Sequence, residues 1–92
     1  MVKRVFQIRN RFGLHARPAA LLVKTTGRFK SKVLVNKDGL TADGKSIMGL
    51  MTLAAEPGSQ IEVVVEGEDE QEAMEAIREV IENNFFEDQL YD

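Results

Sequence analysis

Within 92 residues the hydrophobic period of this chain switches repeatedly between two and about three and a half, which restricts it to strands interleaved with helices. Arg4, Phe6 and Ile8 alternate with Val5, Gln7 and Arg9, and Ile61, Val63 and Val65 alternate with Glu62, Val64 and Glu66. Both stretches read as strands with one buried face. Lys32 to Asn36 is a third strand, and Lys37-Asp38-Gly39 is a turn signal leading into a short fourth strand around Leu40 to Ala42. Ala16 to Thr26 has helix-forming composition and ends at Gly27. Asp69 is a candidate N-cap followed three residues later by Glu72, and the next stretch puts Ala73, Ile77, Val80, Ile81 and Asn84 on one helical face. With a short helix after Ser46, the order is β-α-β-β-α-β-α. That order predicts an α+β fold: an open-faced sandwich of a four-stranded, mostly antiparallel sheet with three helices on one face.

The chain has one histidine, His15, in the segment Gly13-Leu14-His15-Ala16-Arg17-Pro18-Ala19-Ala20. Proline is tolerated in a helix only in the first turn, where its missing N–H costs no hydrogen bond, so Pro18 places the helix start at or just after His15. First-turn amides have no intrahelical partner, and the macrodipole adds about half a positive charge there. This end of the helix therefore favours anions. Ala16 and Arg17 offer backbone N–H groups, and the Arg17 guanidinium is a planar fork that matches two phosphate oxygens. A neutral imidazole nitrogen in this setting is a nucleophile for phosphorus. A lone histidine is more often a cap or a surface residue, but ordinary N-caps are Ser, Thr, Asp or Asn. His15 followed by Arg17 and Pro18 is an uneconomical cap.

The helix opened by Ser46 is the second informative segment. Ser46 is a good N-cap, its hydroxyl able to accept a first-turn amide. From Ile47 through Ala54 apolar residues fall on more than one side. Leu50 and Leu53 face a core, and Ile47, Met48 and Met51 then have no room inside. An exposed, methionine-rich apolar patch suits docking to several partners, since methionine is flexible and polarizable. Lys24, in the first helix, is a candidate supplementary contact for an acidic partner surface.

The segment Gly13 to Ala20 resembles the active-site motif of the histidine-containing phosphocarrier family HPr of the bacterial phosphoenolpyruvate:sugar phosphotransferase system. Gly44-Lys45-Ser46-Ile47-Met48-Gly49-Leu50-Met51 resembles the regulatory-serine motif of the same family, at the family's spacing. The similarity covers residues 2 to 84 and implies the fold derived above. It further implies that phosphorylated enzyme I donates to Nδ1 of His15, which passes the group to enzyme IIA domains, while Arg17 and the amides of Ala16 and Arg17 stabilise the transferring oxygens. Ser46 becomes a regulatory phosphorylation site, with an HPr serine kinase/phosphorylase and a transcriptional regulator as further partners. On this reading the chain is a carrier, not an enzyme in its own right. The alternative within the family is a nitrogen-branch or regulatory paralogue acting mainly through protein–protein binding.

Composition narrows the field further. The length allows one domain, expected over residues 1–86, followed by a short acidic tail, 87–92. Phe85 and Phe86 are candidates to fold back onto the domain, and the acidic end reads as a frayed, solvated terminus. Without cysteine there are no disulfides or thiolate metal sites, and no metal or cofactor is expected. No apolar run is long enough to span a bilayer, and Met1 to Phe6 breaks into alternation too early for a signal peptide. A cytoplasmic protein without membrane insertion is the expectation. The net charge of −3 speaks against a nucleic-acid partner. A monomer is expected, the apolar patch being reserved for partners.

Overall fold

The computed structural model describes residues 1–87. Its elements run β1 (Val2–Gln7), α1 (Ala16–Thr26), β2 (Lys32–Lys37), β3 (Leu40–Asp43), α2 (Ile47–Thr52), β4 (Gln60–Glu66) and α3 (Glu70–Glu82), with a single turn of helix at Asn84–Phe86. The strands form one sheet in the order β1-β4-β2-β3. All three pairings are antiparallel, so the sheet is antiparallel throughout. Phe6 opposes Ile61 across β1 and β4, and Val35 opposes Val63 across β2 and β4. This register puts Phe6, Val33, Val35, Ile61, Val63 and Val65 on the buried side. The opposite face carries Lys3, Val5 and Gln7 into solvent, as an open-faced sandwich requires.

The β2–β3 hairpin turns on Asp38 and Gly39, both at positive φ, the combination a tight two-residue hairpin turn demands. The apolar stripe of α3 buries Ala73, Ile77, Val80 and Ile81 as its period predicts, together with Met74. Asn84, assigned to that face from the sequence, lies instead beyond the helix in the turn that follows.

Asp69 does precede α3, but its carboxylate caps nothing. It accepts hydrogen bonds from the backbone amides of Lys30 and Ser31, each at 2.9 Å, and from the Ser31 hydroxyl. Nor does Glu72 close a capping box; the Gly67 amide donates instead to Glu70 Oε1 at 3.2 Å. Asp69 is thus a tie from the start of α3 to the loop between α1 and β2. A local spacing rule cannot anticipate a partner 38 residues away.

Three consecutive residues, Asn84, Phe85 and Phe86, have φ of 55°. Left-handed backbone costs a residue with a side chain about 1–2 kcal/mol, so a run of three persists only where packing holds it. Phe85 provides that packing: it is 1% exposed and belongs to the main core. The turn redirects the chain at the end of α3, so that Glu87 points back into the protein.

Candidate functional site

The loop from β1 to α1 is pinned before it reaches His15. The Leu14 amide donates to the Ala55 carbonyl at 2.8 Å, and the His15 amide to the Gly13 carbonyl at 3.0 Å. Gly13 has φ of 72°, and a Cβ built there would stand 2.3 Å from the Ala55 carbonyl oxygen. Only glycine fits, both for conformation and for space. His15 is the N-cap of α1, with extended backbone and no capping bond from its side chain. The first intrahelical bond runs from the Ala19 amide to the His15 carbonyl, so the amides of Ala16 and Arg17 lie ahead of the ladder. Pro18 sits in the first turn and is buried, while Ala16 and Arg17 are exposed.

The ring is held from two sides. Phe12 packs against it edge to face, with centroids 5.8 Å apart. On the other side Nε2 lies 3.2 Å from Oε1 of Glu87, a side chain only 2% exposed, while the histidine itself is 31% exposed. Glu87 belongs to the segment read as a solvated acidic tail, and the structure corrects that placement for this residue. Its physical cause is the left-handed turn anchored by Phe85; residues 88–92 lie outside the described residues. Asn10 completes the arrangement, its side-chain amide donating to Glu87 Oε1 at 2.8 Å and to the Gly13 carbonyl at 2.7 Å. Neither Asn10 nor Glu87 was a candidate on sequence grounds. The one signal was the aromatic pair Phe85-Phe86, which hinted that the chain folds back there.

His15 borders a shallow depression shared with Phe12, Leu14, Met51 and Ala54. That depression joins the histidine to α2. Leu50 and Leu53 are buried, while Ile47, Met48 and Met51 are exposed, Met48 at 73%. Ser46 caps the helix, its Oγ accepting from the Gly49 amide at 3.0 Å. Lys24 is not part of this cluster; it lines a groove between α1 and α3 with Leu21, Arg28 and Glu79. Among the described residues no group of histidine and carboxylate side chains is placed to hold a metal ion. No described helix is long and apolar enough to cross a membrane.

Residues 2–83 match the family model PTS-HPr, described as the PTS HPr component phosphorylation site. The chain is 47% identical over 88 residues to the phosphocarrier protein HPr of Treponema pallidum, covering 96% of this chain and all of that one. The crystal structure of HPr-C-His from Thermoanaerobacter tengcongensis superposes with a TM-score of 0.90 at 43% identity, covering 94% of this chain and 97% of the other. Crh of Bacillus subtilis, a catabolite repression protein described as a dimer with a swapping domain, is 44% identical, with a TM-score of 0.73 over 91% of this chain and 97% of the other. The expectation of a monomer, drawn from an apolar patch reserved for partners, is corrected by this relative, whose structure is a dimer. A partly exposed histidine at a helix N-terminus, in a fold with a four-stranded antiparallel sheet and a sequence that matches along nearly its whole length, places this chain in the HPr phosphocarrier family of the phosphotransferase system.

Proposed function

We propose that this chain accepts a phosphoryl group on His15 from phosphorylated enzyme I and passes it to enzyme IIA components of the sugar phosphotransferase system. The observation that carries the reading is the ring itself, partly exposed at the N-cap of α1, spending no bond on capping, with Arg17 two residues on. In the transfer, Nδ1 of His15 forms a bond to phosphorus while the N–P bond of the donor histidine breaks and its electron pair returns to the donor ring. Arg17 and the amides of Ala16 and Arg17 meet the charge on the equatorial oxygens, a contribution of position and electrostatics. The reverse exchange delivers the group onward. The chain is a carrier on this account and turns over no substrate of its own. Its place of action is the cytoplasm, where the donor presents a phosphorylated histidine and the acceptors a free one.

Ile47, Met48 and Met51 form the docking surface beside the histidine, and Lys24 supplements it toward acidic partner surfaces. Ser46 is the regulatory position, modified by a serine kinase/phosphorylase. A phosphate there keeps the favourable helix N-terminus while setting negative charge beside the apolar patch. Its effect is on docking rather than folding. The likeness to Crh supports a second, regulatory reading, in which binding to a transcriptional regulator is the main output.

The test is incubation with phosphoenolpyruvate and purified enzyme I, followed by intact mass. One acid-labile phosphoryl group, absent in His15→Ala, supports the carrier reading. No label from an active donor overturns it and leaves the regulatory one.

A further inference from the structure

We propose that Glu87 is a positioning residue for His15: it holds the proton on Nε2, directs phosphorus to Nδ1, and balances the charge the ring acquires on phosphorylation. This rests on the carrier reading above and adds a residue outside the family-matched segment, residues 2–83.

The geometry favours one tautomer. Glu87 Oε1 already accepts the Asn10 side-chain amide at 2.8 Å, and an ionised carboxylate has no proton to offer. The ring atom 3.2 Å from that oxygen must then be the donor, so Nε2 carries the hydrogen and the lone pair sits on Nδ1. A histidine whose one nitrogen donates to a carboxylate has its other nitrogen fixed as the reactive one, as in metal sites and catalytic triads.

The second observation is a charge without enough partners. Glu87 Oε2 is buried and has no hydrogen-bond partner among the described residues, and the same holds for Asn10 Oδ1. A buried carboxylate served only by neutral donors is costly, and such a group needs a reason. Phosphorylation supplies one. When Nδ1 uses its lone pair to bond phosphorus and Nε2 keeps its proton, no proton leaves and the ring gains a positive charge. Glu87 then stands as its counterion. When the group moves on, the N–P electron pair returns to Nδ1 and the ring is neutral again. The left-handed turn at Asn84–Phe86 is the backbone device that puts this carboxylate in place.

Nitrogen-detected NMR of the imidazole reads the tautomer directly and needs no donor. The unphosphorylated protein is expected to show Nε2–H alone, Glu87→Gln to keep it through its amide carbonyl, and Glu87→Leu to admit the Nδ1–H form. Phosphorylation by enzyme I then falls about ten- to a hundredfold in kcat for Glu87→Leu with little change in KM, and Glu87→Gln, which keeps the acceptor oxygen but not the charge, recovers only the part owed to the tautomer. An Nδ1–H ring in the unaltered protein, a measurement independent of whether any variant folds, overturns the proposal. So does a tautomer or kcat unmoved in a folded Glu87→Leu protein. Failure of the unaltered protein to take phosphate, with the tautomer as expected, refutes the carrier reading instead and with it the catalytic use of Glu87.

Discussion

Glu87 Oε1 lies 3.2 Å from His15 Nε2 although 72 residues separate them, and one buried aromatic side chain holds the turn that joins them. Phe85 is that side chain. Phe85→Ala is expected to cost about 3–5 kcal/mol of stability, the usual toll for emptying a buried aromatic site. Urea denaturation followed by circular dichroism measures it. A loss under about 1 kcal/mol indicates that the turn is not anchored there.

Gly13 faces two separate constraints, a φ of 72° and the Ala55 carbonyl 2.3 Å from where a Cβ would stand. Gly13→Ala is expected to lose about 2 kcal/mol or more, since left-handed strain and the collision add. The displaced loop also shifts His15, so phosphorylation slows. An unchanged unfolding midpoint would refute this reading of the loop.

Much of this was legible beforehand, for a physical reason. The strands at Phe6, Val35 and Val63 are specified by local period and turn chemistry, the helix starting at Ala16 by Pro18 in its first turn, the one at Ile47 by the Ser46 cap and the one at Glu70 by its apolar stripe, all written within a few residues. The histidine before Arg17 and Pro18 is equally local. What was hidden depends on partners far along the chain. Asp69 looks like a cap until the Ser31 loop arrives to take its carboxylate. Glu87 looks like any acidic terminal residue, because nothing beside it in sequence announces Asn10 or His15. Met74 joins the buried face of α3 where a stricter stripe omitted it.

Asp69 also sets an acid limit on stability. Hydrogen bonds from the Ser31 hydroxyl, foremost, and from the Lys30 amide lower its pKa from 3.8 to about 2. A carboxyl whose folded pKa lies below its unfolded value contributes stability fully above pH 4 or so, and that contribution fades as pH falls toward 2. Thermal midpoints of the unaltered protein should therefore drop across that window. Asp69→Asn should show a shallower drop and a lower midpoint at neutral pH. Equal slopes for the two proteins would remove Asp69 from the account.

The Ser46 hydroxyl and the apolar patch beside it separate stability from docking. Ser46→Ala should cost about 1 kcal/mol through loss of the cap, while Ser46→Asp keeps a capping oxygen and most of the stability. Met48→Ser, at a side chain 73% exposed, should stay within about 0.5 kcal/mol of the unaltered protein. Both Ser46→Asp and Met48→Ser should raise KM for phosphorylation by enzyme I severalfold. A KM unchanged in both would remove α2 from the docking surface.

The most direct measurement is NMR of the protein phosphorylated by enzyme I and phosphoenolpyruvate, with phosphorus and imidazole nitrogens observed together. The account predicts a single phosphoryl group bonded to Nδ1 of His15 and a proton retained on Nε2. Phosphorus on Nε2, or on any residue other than His15, would contradict it.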